Sequence, residues 1–207
     1  NVKKMSKKYN FSSNRKYRNN EEVEEEEEVT IEIKVENNDI YIYSEITREL
    51  ALNFSIELKK LEKKLLCMSI QFDIPIPEIK IHINSEGGDL FAGLSMSDAI
   101  RVCKVPVTTI IEGEAASAAT IISVVADKRI ITKNSHMLIH QMSTGFWGKY
   151  NEFLDEMQNQ KTLMDIMKKI YNKYTNITIK ELNVCLKKDI YWTPEYCLEN
   201  GLVDEIL

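Results

Sequence analysis

With 207 residues, 43% of them hydrophobic and 29% charged, the chain has apolar material for one buried core and charge enough to keep its surface hydrated. A net charge of -5 argues against nucleic acid as the main partner, because phosphate binding draws on basic stripes. The longest apolar stretch, Ala115 to Ala126, is about 12 residues with polar interruptions, which suits a buried core helix and not a membrane span.

No charged-then-apolar leader opens the sequence, so secretion is not expected. Cys67, Cys103, Cys185 and Cys197 lie far apart without a CxxC pair. This spacing predicts reduced thiols and a cytoplasmic compartment, with neither a zinc site nor a disulfide framework.

Residues 1–28 run from a basic block (Lys3, Lys4, Lys7, Lys8, Arg15, Lys16, Arg18) into an acidic one (Glu21, Glu22, Glu24 to Glu28). Segregated charge with little apolar content predicts a flexible tail, or a docking arm for another protein. The globular part is expected over 29–207. Val29 to Val35 alternates apolar with polar and predicts a half-buried strand. After the turn Asn37-Asn38-Asp39, Ile40 to Tyr43 predicts a second.

From Ile46 to about Leu66, Leu50, Leu52, Phe54, Ile56, Leu58, Leu61 and Leu65 suit a helix with one buried stripe, and Pro75 and Pro77 end the region. A strand is expected at Ile79–Ile83, then a Gly-rich turn and a helix from Leu90 to Val102. Val105–Ile111 predicts a strand, followed by a small-residue helix from Ala115 and short strands at Arg129–Ile131 and Met137–Ile139. A long helix from about Asn151 to Tyr174 carries Phe153, Leu154, Met157, Leu163, Met164, Met167, Ile170 and Tyr171 at helical spacing. A short helix after Thr193-Pro194 and an apolar strand, Leu202–Leu207, close the chain. Strands alternating with helices indicate α/β organisation with parallel pairing.

Three places stand out chemically. In Gly113-Glu-Ala-Ala-Ser117-Ala, a serine sits where a strand turns into a helix, beside free backbone N–H groups suited to a developing oxyanion. The pattern is not G-x-S-x-G, and a serine among alanines also reads as core packing. Gly87-Gly88 follows a strand and either aims an N–H at a ligand or makes a tight turn. His140 ends Met137-Leu-Ile-His, as a structural or a catalytic residue. His136 would share its face about 13 Å away by strand rise, too far for one metal ion, so no metal site is expected.

Taken in series, Ile83-Asn-Ser-Glu-Gly-Gly88, Gly113-Glu-Ala-Ala-Ser117, Met137-Leu-Ile-His-Gln141 and Gly201-Leu-Val-Asp-Glu-Ile206 closely resemble the motifs of the ClpP family, the proteolytic subunit of Clp proteases. The resemblance covers about Asp39 to Leu207. It implies an α/β ClpP/crotonase-like fold of repeated β-β-α units with a protruding handle helix, here about residues 143–174. It implies a serine endopeptidase with Ser117 as nucleophile, His140 as general base, and Gly88 and Ala118 as oxyanion-hole donors. The acid in the family lies about a dozen residues before the glycine of the terminal G-L-V-D, which selects Asp189. The chain departs from the family pattern at Glu86 and Met142, where proline is common, in a longer Cys67–Glu78 stretch, and in residues 1–38, which lack a recognisable axial-pore loop.

The same resemblance implies a homo-oligomer of two stacked seven-membered rings acting on unfolded polypeptides. An ATP-driven AAA+ unfoldase of the Clp type would be the partner. The chain itself carries no P-loop, so it is expected to bind no ATP and to need no cofactor. No nucleic-acid or membrane partner is expected. The competing readings are a non-catalytic Clp-type subunit, a crotonase-like enzyme acting on acyl-CoA thioesters, and a serine–lysine peptidase with Lys128 or Lys133 as base.

Overall fold

Isoleucine at 79, 81 and 83, followed by Ser85, in Ile79-Lys-Ile-His-Ile-Asn-Ser85 sends one side of the strand into the core. In the computed structural model, which describes residues 33–207, that alternation is followed without a break. The charged segment 1–28 and the beginning of the strand expected at Val29 lie outside the described residues.

Among the described residues, seven strands form one sheet: β1 (Lys34–Glu36), β2 (Asp39–Ile42), β3 (Ile79–Ser85), β4 (Val107–Ala116), β5 (Lys128–Ile131), β6 (His136–Leu138) and β7 (Glu205–Ile206). Their order is β1-β2-β3-β4-β5-β7, with β6 also on β4. Among these seven strands, only β1 and β2 pair antiparallel. The central strand β4 is buried along Val107-Thr-Thr-Ile-Ile111, the continuous pattern of a parallel strand covered on both faces. Its buried hydroxyls are satisfied: Thr109 donates to the Ser123 carbonyl at 2.9 Å, and Thr108 to Glu78 at 2.6 Å.

The helices α1 (Arg48–Phe72), α2 (Leu90–Val102) and α3 (Ala118–Val124) each join neighbouring parallel strands moving in the same direction across the sheet. Right-handed crossovers then place all three on one face, and the helices pack in series, α1 on α2 and α2 on α3. Phe54, Leu58, Leu61 and Leu65 of α1 and Met96 and Ile100 of α2 meet the sheet isoleucines in the core. Every residue of α3 is buried, as the apolar stretch from Ala115 predicts.

Thr47 and Asp89 cap α1 and α2, accepting from the Leu50 and Ala92 amides at 3.1 and 2.8 Å. The first helix continues six residues past the Leu66 boundary expected from its stripe. Nothing in Cys67-Met-Ser-Ile-Gln-Phe72 breaks a helix, and the end comes at Asp73, in the left-handed conformation at φ 50°.

After β6 come α4 (Tyr150–Tyr174), α5 (Ile179–Cys185) and α6 (Pro194–Glu199). The sequence pattern has no counterpart to α5, which is opened by a capping box between Thr178 and Glu181. The long α4 is divided in character. Met167 and Tyr171 near its end are buried, whereas Tyr150, Phe153, Leu154 and Met157 near its start are exposed.

Candidate active site

Strand β4 delivers Ser117 to the end of the sheet. Its last residues pair with β6, Ala116 opposite Leu138, and the Ser117 N–H donates to the Leu138 carbonyl at 2.9 Å. Ser117 itself has φ 53° and ψ -121°, outside the regular regions for a side-chain-bearing residue. It stands at the N-cap of α3, yet its side chain makes no capping bond, which leaves the hydroxyl free for other chemistry. The chain thus reaches a sharp strand–serine–helix turn without the flanking glycines of G-x-S-x-G.

The room for this turn comes from a neighbouring loop. Gly87 has φ +99°, and a Cβ there would lie 2.6 Å from the Ala116 carbonyl oxygen and 2.7 Å from the Ser117 Cβ. Upstream, β3 and β4 slip register between Ile83 and Ser85. The Asn84 carboxamide fills that irregularity, accepting from the Glu114 N–H at 3.2 Å and occupying the space where Gly113 would carry a Cβ. Sequence reasoning gives Gly87 and Gly88 a joint turn or N–H-presenting role, and the family resemblance adds an oxyanion role for Gly88 alone. The I-N-S-x-G-G motif is the available signal for Gly87 and Asn84, whose task is to shape the serine turn.

Gly88 bridges Ile46 in parallel fashion: the Ile46 N–H donates to Gly87 O at 2.7 Å, and the Asp89 N–H to Ile46 O at 2.8 Å. In such a bridge the amide of the middle residue points the other way. Gly88 lines the same cavity as Ser117 and Ala118. The Ala118 N–H is the first of α3 and has no partner within the helix.

His140 follows β6 and is brought to the same cavity, its side chain 26% exposed. Alongside runs the segment leading to α6, pinned at both ends. Trp192 and Met137 exchange backbone bonds of 2.7 and 3.1 Å, and the Gln141 N–H donates to Leu186 O at 2.8 Å. Between these anchors Asp189 reaches the ring, with Oδ1 3.6 Å from His140 Nδ1. That contact is slightly longer than a hydrogen bond.

Ser117, His140, Gly88 and Ala118 therefore share one cavity of about 410 Å³, whose apolar lining includes Leu90, Phe91, Met142, Leu163 and Met167. Asp189 lies behind the histidine. The backbone of Ser117 is hydrogen-bonded on both sides, and among the described residues no hydrogen bond joins its hydroxyl to His140. A larger cavity of about 710 Å³, lined by residues between Ile177 and Asn200, contains no serine or histidine and none of the five site residues.

Neither alternative base lines the cavity that holds the serine. Lys128 pairs with Thr108 near the opposite end of β4 and is engaged by Glu205 at 2.7 Å. Lys133 is exposed in the turn after β5. Among the described residues no group of three or more His, Cys, Asp or Glu is arranged to hold a metal ion. No described helix is long and apolar enough to cross a membrane. Burial pushes the thiols of Cys103 and Cys185 up and that of Cys197 to about 12, so these sulfurs stay protonated.

Comparison with known proteins identifies the family and the fold. The family model described as Clp protease matches residues 23–207. An ATP-dependent Clp protease proteolytic subunit from Deinococcus radiodurans is 34% identical over 135 residues, which make up 64% of this chain and 66% of that protein. The alignment thus spans just under two thirds of the relative's length. Among solved structures, a ClpP1 mutant from Listeria monocytogenes superposes with a TM-score of 0.72 at 25% identity, covering 83% of this chain and 91% of that one. A match over nearly the whole sequence, on an α/β fold shared with ClpP, establishes that this chain belongs to the Clp protease family.

Proposed function

We propose that the chain is a serine endopeptidase subunit that hydrolyses unfolded polypeptides inside an oligomeric chamber. The observation that carries this reading is the single cavity holding Ser117, His140 and two free backbone donors, with Asp189 against the far side of the imidazole.

The chemistry follows from these positions. Ser117 Oγ attacks the scissile carbonyl while His140 Nε2 takes its proton. Asp189, on the Nδ1 side, holds the tautomer that leaves Nε2 able to accept, and stabilises the imidazolium that results. The carbonyl oxygen becomes an oxyanion and accepts from the Gly88 and Ala118 N–H groups. His140 then gives its proton to the leaving amine, and water repeats the cycle on the acyl-enzyme.

Assembly into two stacked seven-membered rings is part of the proposal. It is supported by the exposed apolar start of α4, where Phe153 is 50% and Met157 56% accessible. An AAA+ unfoldase would supply unfolded substrate and consume the ATP, in a cytoplasmic setting, and this chain would use no cofactor of its own.

A non-catalytic subunit is the second reading, favoured by one observation: the 3.6 Å His140–Asp189 contact is loose and Asp189 is 79% exposed. A fluorophosphonate probe separates the two. Labelling of Ser117 in the wild-type chain, lost in Ser117→Ala, supports the peptidase. A folded, assembled wild-type chain that takes no label overturns it.

A further inference from the structure

The serine turn is held from below by a hydroxyl relay that no part of the proposed triad uses. Thr120 Oγ1 lies 2.6 Å from the Ser117 carbonyl oxygen and 2.6 Å from the hydroxyl of Tyr171, and both side chains are fully buried. The direction of the relay follows from counting protons. A carbonyl oxygen can only accept, so the single Thr120 hydroxyl proton goes to Ser117. Tyr171 must therefore donate to Thr120. If Thr120 donated to Tyr171 instead, two oxygens would face each other at 2.6 Å with no proton between them. Burial raises the Tyr171 phenol, so it remains a neutral donor.

The Ser117 carbonyl belongs to the same planar trans peptide as the Ala118 N–H, and in such a unit the two bonds point in opposite directions. Fixing the carbonyl toward Thr120 fixes the Ala118 N–H away from it. The carbonyl also accepts from the Thr120 N–H at 3.0 Å. Each bond it accepts polarises the amide and makes its N–H a better donor. The relay begins on α4, the helix whose opposite end is exposed and apolar, so a displacement of α4 reaches the serine turn through Tyr171.

We infer that Tyr171, acting through Thr120, is a positioning residue that aims the Ala118 N–H for oxyanion stabilisation and couples α4 to the reacting centre. This inference rests on the peptidase reading above. Because the N–H is needed only once negative charge develops, the loss should appear in kcat and leave KM in place.

The test uses the full chain and a short fluorogenic peptide. Tyr171→Phe keeps the ring and removes only the donor. It is expected to lower kcat on the order of tenfold, below the 10²–10³-fold typical of deleting an oxyanion donor outright, with KM within about twofold. Thr120→Val should lose at least as much, and adding Tyr171→Phe to it should cost nothing further. Thr120→Ser keeps the hydroxyl and should retain most of the wild-type kcat.

Wild-type kcat in Tyr171→Phe, additive losses in the double variant, or an equal loss in Thr120→Ser would each overturn the inference. Ser117→Ala separates this from failure of the peptidase reading. If Ser117→Ala still cleaves, the reading falls. If Ser117→Ala is inert and Tyr171→Phe is unimpaired, only the relay is refuted.

Discussion

His140 Nδ1 stands 3.6 Å from Asp189 Oδ1, and the two residues come from strips of chain that are tied by backbone bonds above and below them, at Met137–Trp192 and Gln141–Leu186. The aspartate is thus placed by backbone pairing while its carboxylate stays largely in water. A small movement of this strip would close the gap to hydrogen-bond length, and catalytic contacts commonly tighten only in the substrate complex.

Replacement of Asp189 by Asn should therefore lower kcat by roughly 10²–10⁴-fold, because the amide donor selects the wrong imidazole tautomer. The melting temperature should barely change, since the side chain is 79% exposed. Steady-state kinetics alongside a thermal melt checks both halves. Undiminished turnover in Asp189→Asn would move the orienting role elsewhere.

Gly87 yields a second expectation. A methyl group there would meet the Ala116 carbonyl oxygen, the Ser117 Cβ and the Ala118 nitrogen at 2.6, 2.7 and 3.0 Å, and the φ of +99° is itself unfavourable for alanine. Backbone atoms cannot rotate out of the way, so Gly87→Ala should displace the serine turn. Peptide cleavage should fall at least about a hundredfold, with a stability loss of about 1–3 kcal/mol. Gly145 is the control, because a methyl group added there would meet nothing within 4 Å. Gly145→Ala should leave the fold unchanged.

The elements that follow simple periodicity were legible in the sequence. The α2 boundaries match those expected, and α4 starts one residue from the expected Asn151. The end of α1 was not, because Ile70 and Phe72 are exposed and extend no buried stripe. The small α5 escapes the pattern because only Leu182 in it is buried, so its apolar signal is weak. At the site, motifs single out Ser117, His140 and Gly88, and the structure brings them to one cavity. Asp189 is selected by its distance to Gly201 alone. The contributions of Thr120 and Tyr171 depend on a non-local contact, the 2.6 Å bond between residues 51 positions apart, which no local pattern reveals.

Acid stability should be set in part by Arg129 and Asp204. The guanidinium binds both carboxylate oxygens, at 3.0 and 2.5 Å, and also donates to the Tyr174 and Gly201 carbonyls. Hydrogen bonding to Arg129 holds the Asp204 carboxyl below the usual range. A lowered folded value means that the unfolded chain takes up the proton first as pH falls. The contribution is therefore present above about pH 4, the ordinary Asp value, and is lost as pH drops through the lower folded value. Asp204 is 41% exposed, so solvent screening keeps that contribution modest. Arg129→Lys, which cannot reproduce the fork, should cost about 1–3 kcal/mol near neutral pH. Its melting temperature should also decline less steeply below about pH 4 than that of the wild type. Parallel slopes in the two melts would show that Arg129 is not the source of the acid sensitivity.

The exposed start of α4 supports the assembly proposal and can be tested apart from the chemistry. Trp147 is 99% exposed, Tyr150 76%, Phe153 50% and Met157 56%, while the buried anchors of the helix, Met167 and Tyr171, lie near its other end. Apolar side chains in such a row are unfavourable in water unless another surface covers them. Phe153→Glu with Met157→Glu should leave the isolated fold within about 0.5 kcal/mol of wild type, because neither residue is part of the core. In an inter-ring interface, by contrast, two buried unpaired carboxylates would cost several kcal/mol and separate the rings. Light scattering should then report a particle of about half the wild-type mass if the rings themselves survive. Fluorophosphonate labelling of Ser117 should fall with it if the loose His140–Asp189 contact depends on assembly. An unchanged particle mass in the double variant would show that this end of α4 does not join the rings.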